Sequence, residues 1–134
     1  MFNATNMAPV AIVTALILLE YFVFTLLVGK ARVQTKTNAP TTAGDPLFER
    51  YFRVQQNSLE RMIVVIPAMW LFALYLNAPV AAGLGLVYAV ARILYFRGYV
   101  ADPAKRGMGF GIGVLAEAVL LLGALGGAIW TLVR

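Results

Sequence analysis

A group of polar side chains at the start of an apolar segment has the residue types and spacing of a binding surface. The group consists of Arg50, Arg53, Asn57 and Glu60. Steps of three, four and three residues place all of its members on one face of an α-helix. Guanidinium groups bind carboxylates in pairs of hydrogen bonds, and a carboxylate can bind an ammonium group. Because charge inside a membrane span is costly, such a face is a candidate functional site.

Two further groups could complete that surface. One consists of Tyr88, Arg92, Tyr95 and Tyr99, again spaced for one helical face. The other is Arg106 at the beginning of the next apolar segment, where a guanidinium and free helix amides together attract an anion. Each group also has a structural interpretation, as an ion-pair network, an aromatic belt or a cation at the membrane interface.

The three groups together predict the chemistry of a ligand. Several guanidiniums, one carboxylate, amides and phenols suit a molecule with at least two anionic groups, one ammonium and peptide-like amides. Glutathione has this composition and adds a thiol. The chain contains no Cys and no His, which removes its own thiolate and the usual metal ligand. We therefore expect glutathione to bring the nucleophile, with no metal.

Composition predicts the elements that position these residues. Of the 134 residues, 61% are hydrophobic and 13% charged, whereas soluble domains carry about 25% charged residues. We predict an all-α membrane protein, a single domain over residues 1–134, with four transmembrane helices in an up-down bundle. The spans are predicted at residues 9–29, 46–76, 79–99 and 107–133.

Glycines at the start of the fourth span predict close helix packing. Gly107 with Gly111 and Gly109 with Gly113 form small-xxx-small pairs, which allow two helices to approach closely. The run lacks the G-x-G-x-x-G spacing and the preceding strand of a nucleotide-binding loop.

The distribution of basic residues predicts the orientation. Apart from Arg134, all of the 11 Lys and Arg residues lie in or towards the two long polar loops. The positive-inside rule then places these loops and the candidate site in the cytoplasm and both termini outside it. The N-terminus has no basic region of a cleaved signal peptide. We expect a bacterial inner-membrane protein that does not bind nucleic acid.

Two acidic residues lie deep within predicted spans. Glu20 and Glu117 are each about 17 Å of helix from the cytoplasmic end of their span. They could pair with Arg61 or Arg92, face a polar cavity or be protonated, and a structural role is favoured. Glu20 also suits a small proton-coupled multidrug transporter, an alternative function that leaves the polar face of the second span unexplained.

The segments FERYFRVQQNSLE and ARILYFRGYVADPAKR resemble a known family, the membrane-associated proteins in eicosanoid and glutathione metabolism (MAPEG). Its members include microsomal glutathione S-transferases, leukotriene C synthase and prostaglandin E synthase. The resemblance covers essentially the whole chain from Ala31, through the motifs E-R-x-x-R-x-x-x-N-x-x-E and R-x-x-Y-F-x-G-Y. It implies a four-helix bundle that assembles as a homotrimer, with the co-substrate glutathione bound between neighbouring subunits.

The resemblance also implies roles for individual residues. Arg106 would stabilise the glutathione thiolate, because an adjacent arginine lowers the pKa of a thiol from about 8.5. Arg32 and Gln55 would come from the neighbouring subunit. Arg92 matches a buried arginine of the second motif and is grouped with the glutathione-binding residues. The residues implied to contact glutathione within one subunit are Arg53, Asn57, Glu60, Tyr95 and Tyr99.

Three positions differ from specialised members of the family. Arg61 stands where the leukotriene enzymes have a tyrosine, Val33 where they have a second arginine, and Gly107 where the prostaglandin isomerases have a serine. We therefore expect a general glutathione transferase or peroxidase that acts on hydrophobic electrophiles or lipid hydroperoxides. A non-catalytic, lipid-binding scaffold is the other alternative, against which the presence of Arg106 argues.

Overall fold

The computed structural model describes residues 3–134, and four long helices account for most of them. These are α1 (Ala4–Thr35), α2 (Pro46–Tyr75), α3 (Ala78–Ala101) and α4 (Gly107–Val133), with a 3-10 turn at Pro103–Arg106 between the last two. All four are long and apolar enough to cross a membrane. This confirms the predicted all-α, four-span membrane fold. Residues 1 and 2 of the predicted 1–134 domain lie outside the described residues. They also belong to the N-terminal segment considered above as a signal peptide.

Polar side chains define where three helices begin. The side-chain oxygens of Asn3, Asp45 and Asn77 each accept a hydrogen bond from a backbone N–H three residues later, which satisfies a donor that the helix itself leaves free. Helix α1 has 32 residues, about 48 Å, and therefore exceeds a hydrocarbon core of about 30 Å. Its last turns, which carry Arg32, extend past the predicted span.

The helices pack as a bundle in which consecutive helices contact one another, and α1 also contacts α3 while α2 contacts α4. Fully buried side chains from different helices form the core, among them Val10, Ile17, Val65, Met69 and Leu120. Large apolar side chains on the outer faces of all four helices are exposed in the isolated chain. Such a surface is expected where the surrounding solvent is lipid.

Helices α3 and α4 approach to backbone contact at Gly109. A Cβ atom at this position would collide with the backbone nitrogen of Tyr95 and lie 2.8 Å from the carbonyl oxygen of Ala91. Gly113, one turn further along, also packs against α3 at ordinary contact distance. Close helix packing therefore applies to Gly109 and Gly113. At Gly107 and Gly111, the other predicted pair, a Cβ atom would meet nothing within 4 Å.

We expect Gly109→Ala to lower the free energy of unfolding by about 1–3 kcal/mol, because the colliding atoms belong to the backbone and cannot rotate away. The matched control is Gly111→Ala, since a Cβ there meets nothing within 4 Å. Thermal unfolding of both variants in the same detergent measures the difference. Equal melting temperatures for the two variants would contradict the close approach of α3 and α4.

Candidate functional site

A polar cleft of about 390 Å³ lies between α2, the end of α3 and the 3-10 turn. Six of its seven lining residues are site residues predicted from the sequence. The lining consists of Arg53, Gln56, Asn57, Glu60, Tyr95, Tyr99 and Arg106. The fold thus brings together residues from the two sequence motifs and the start of the fourth span.

Helix α2 forms one wall of the cleft. Arg53 and Glu60 are exposed, and Asn57 between them is half-buried with a side-chain oxygen that has no hydrogen-bond partner among the described residues. A buried acceptor without a partner is uncommon in folded proteins. Gln56 is the lining residue that was not predicted. Its signal was present, since it lies three residues after Arg53 and four before Glu60, and both spacings share one helical face.

The opposite wall is aromatic and ends in a guanidinium. The ring of Tyr95 lies 5.6 Å from that of Tyr99 and 6.0 Å from that of Phe110, measured between centroids. Arg106 is exposed, donates from Nη1 to the carbonyl oxygen of Pro103 at 2.6 Å, and lies 5.7 Å from the ring centroid of Tyr99. Arginine has five N–H donors. The hydrogen bond from Nη1 fixes the guanidinium, and the remaining N–H donors can bind a ligand.

The charges of the cleft determine what it can bind. Arg53 and Arg106 are positive and Glu60 is negative, so an anionic molecule that also carries one ammonium group is complementary. The described residues contain no group of three or more His, Cys, Asp or Glu side chains that could hold a metal ion.

Arg92 lies beneath the cleft instead of in its wall. Only 1% of its surface is exposed. Its Nη2 donates to Ser58 Oγ at 2.8 Å, and its guanidinium carbon lies 4.1 Å from the ring centroid of Tyr95. Glu20 on α1 interacts with it electrostatically. Arg92 therefore supports Tyr95 from below, and its direct contact with glutathione stays a prediction.

The two residues predicted to come from a neighbouring subunit do not line the cleft of their own chain. Arg32 donates from Nη1 to the carbonyl oxygen of Thr41 at 2.7 Å, in the loop after α1. Gln55 donates from Nε2 to Thr25 Oγ1 at 3.0 Å, on the side of α2 that faces α1. Both contacts lie on the α1 side of the chain, so their assignment to a second copy also stays a prediction.

Deeper in the bundle, Arg61 on α2 pairs with Glu117 on α4. The distance between Nη1 and Oε2 is 3.5 Å, and the side chains are 31% and 5% exposed. Of the alternatives for the two acids within the spans, Glu117 thus pairs with Arg61, while Glu20 lies within electrostatic range of Arg92. Among the described residues, Arg61 and Glu117 form the ion pair inside the bundle, where an unpaired charge would be costly.

Comparisons with known proteins identify relatives along most of the chain. The family model described as the MAPEG family matches residues 10–126. Human microsomal glutathione S-transferase 2 is 43% identical over 126 residues, which cover 92% of this chain and 83% of that protein. An uncharacterized protein of Synechocystis sp. is 42% identical over 122 residues (91% and 89%). Bovine leukotriene C4 synthase is 36% identical over 101 residues (75% and 67%).

We expect Glu117→Gln to lower the free energy of unfolding by about 2 kcal/mol, because it leaves the Arg61 charge without its partner. This is less than the about 3–5 kcal/mol typical of fully buried pairs, since Arg61 is 31% exposed. The double variant Arg61→Met/Glu117→Gln should recover most of the loss, because no charge is left unpaired. Thermal unfolding of Arg61→Met, Glu117→Gln and the double variant in detergent checks this. Simple addition of the two single losses would show that the pair is not coupled.

Proposed function

Because this chain belongs to the MAPEG family, we propose that it is an integral membrane glutathione transferase. The observation that carries the proposal is the cleft, in which Arg53, Arg106 and Glu60 present two positive charges and one negative charge in a single polar depression. A volume of about 390 Å³ falls within the about 300–1,000 Å³ typical of small-ligand pockets. The similarity to microsomal glutathione S-transferase 2 supports the same ligand.

Glutathione would be oriented by groups of known chemistry. Arg53 suits one of its carboxylates, and Glu60 suits the ammonium group. Asn57 and Gln56 can donate to and accept from the peptide amides, since a side-chain amide does both. This leaves the thiol at the end of the cleft that carries Arg106.

Arg106 would hold the glutathione sulfur as the thiolate. A free thiol has a pKa of about 8.5, which a neighbouring arginine lowers, and each pKa unit corresponds to about 1.4 kcal/mol in favour of the charged form. The thiolate then attacks a hydrophobic electrophile, forming a carbon–sulfur bond as the leaving group departs. With a lipid hydroperoxide it attacks the terminal oxygen, releasing the alcohol and leaving glutathione sulfenic acid. A second glutathione converts this acid to the disulfide and water.

The assembly and the orientation belong to the same proposal. We propose a homotrimer in which Arg32 and Gln55 of one subunit complete the cleft of the next. The clustering of basic residues at one end of the bundle supports a cleft open to the cytoplasm. The similarity to a Synechocystis protein supports a bacterial inner membrane.

The thiolate mechanism predicts a specific effect of Arg106→Met. At about pH 6.5 the rate with glutathione and a chlorinated aromatic electrophile should fall about 50-fold, because a thiol pKa that rises from about 6.5 to about 8.5 leaves about 1% thiolate. The variant should recover activity as the pH rises, with its pH profile displaced upward. The measurements are the pH–rate profile and the thiolate absorbance of bound glutathione at about 240 nm.

The control for this experiment is Lys105→Met, which removes a neighbouring positive charge from outside the cleft. It should keep both the rate and the thiolate signal. Full activity of Arg106→Met at about pH 6.5 would disprove the assigned mechanism. Replacing the electrophile with a lipid hydroperoxide in the same assay determines whether the protein is also a peroxidase.

Shared sites predict that two inactive chains restore activity when they are mixed. Co-expressed Arg32→Met and Arg106→Met chains should give about a quarter of the wild-type activity, since random assembly leaves about that share of clefts with both arginines. Arg53→Met with Arg106→Met is the matched control. Both of its arginines come from the same chain, so no intact cleft can form. Equal activity of the two mixtures would place Arg32 outside a shared site.

A further inference from the structure

We propose that Arg50 is a positioning residue for Arg106 and acts through the end of helix α3. The inference rests on the proposed function of Arg106 as the group that holds the glutathione thiolate. Arg50 does not line the cleft, and neither its charge nor its place on the polar face of α2 explains what it does. Its contacts provide that explanation.

Arg50 binds the last backbone carbonyls of α3. Its Nη1 donates to the carbonyl oxygen of Val100 at 3.1 Å and to that of Ala101 at 3.4 Å. Ala101 is the final residue of the helix. The last four carbonyls of a helix have no partner within it and carry the negative end of its dipole. A guanidinium in this position therefore fixes the end of α3 against α2.

A short run of hydrogen bonds connects that helix end to Arg106. The backbone N–H of Asp102 donates to the carbonyl oxygen of Gly98 at 2.9 Å, and the N–H of Lys105 donates to the carbonyl oxygen of Asp102 at 2.8 Å. Asp102 Oδ1 accepts from the N–H of Ala104 at 3.1 Å. Arg106 closes the run by donating to a carbonyl oxygen of the same 3-10 turn.

The turn also presses directly on α3. A Cβ atom at Gly98 would lie 2.5 Å from the carbonyl oxygen of Lys105, so the two backbones are already in contact. A shift of the α3 end therefore shifts the turn and the arginine at its last position. Arg50 holds that end from α2, the helix that also carries Arg53 three residues later. One helical face thus binds the ligand and sets its distance to Arg106.

This role predicts a loss of thiolate without a comparable loss of glutathione binding. Arg50→Met should reduce kcat and the absorbance at about 240 nm of bound glutathione about tenfold at about pH 6.5. KM for glutathione should change less than about threefold, since the α2 wall remains intact. Arg50→Lys keeps a charged donor within reach of the carbonyls and should retain at least about half of both signals.

Arg97→Met is the matched control, because Arg97 is exposed on α3 near the same helix end and does not line the cleft. It should behave as the wild type. The inference is overturned if Arg50→Met keeps its thiolate signal, if Arg97→Met loses as much, or if KM alone rises. Should Arg50→Met fail to fold, Arg50→Gln replaces it, and a wild-type thiolate signal in Arg50→Gln also overturns the inference. A wild-type protein without any thiolate signal would instead refute the proposed function itself.

Discussion

The pairing of buried charge inside the membrane is the constraint on which the bundle depends. Arg92 is almost fully enclosed, and the hydrocarbon interior supplies neither water nor counter-ions to its guanidinium. Its neighbours therefore come from other helices, with Ser58 on α2 and Glu20 on α1. The Arg61–Glu117 pair joins α2 to α4 in the same way. Helices α2 and α4 thus share an ion pair and α2 and α3 share the Arg92–Ser58 hydrogen bond, and these contacts restrict how the helices are rotated about their axes.

The cleft is built on this polar interior. Arg92 lies against the face of Tyr95, and the same ring contacts Tyr99 and Phe110. The floor of the cleft is therefore held from several directions, whereas Arg53 and Arg106 at its rim are exposed. A rigid floor with a solvated, charged rim can attract an anionic ligand from water and then order it against fixed groups, which limits the entropy lost by the protein on binding.

Hydropathy and spacing predicted the four helices and most of the cleft, because both depend on periodicity along one chain segment. They underestimated α1, which continues to Thr35, since hydropathy follows membrane thickness and a helix can continue into water. Gln56 shares the helical spacing of Arg53 and Glu60, so its place in the cleft wall also follows from periodicity. The sequence left open whether Glu117 pairs with Arg61 or with Arg92, because the choice between the two arginines depends on how the helices are rotated. Arg50 had no assigned role because its partners are backbone carbonyls 50 and 51 residues away, which no side-chain motif encodes.

The close crossing at Gly109 bears on how such proteins diversify. At Gly109 the absence of a Cβ atom sets the spacing between the aromatic wall and the start of α4, because any side chain would force the two backbones apart. Natural variation at this crossing can therefore widen the cleft while every residue that lines it stays the same. Relatives with identical cleft residues can then hold ligands of different size, and alignments restricted to the cleft residues would not reveal the cause.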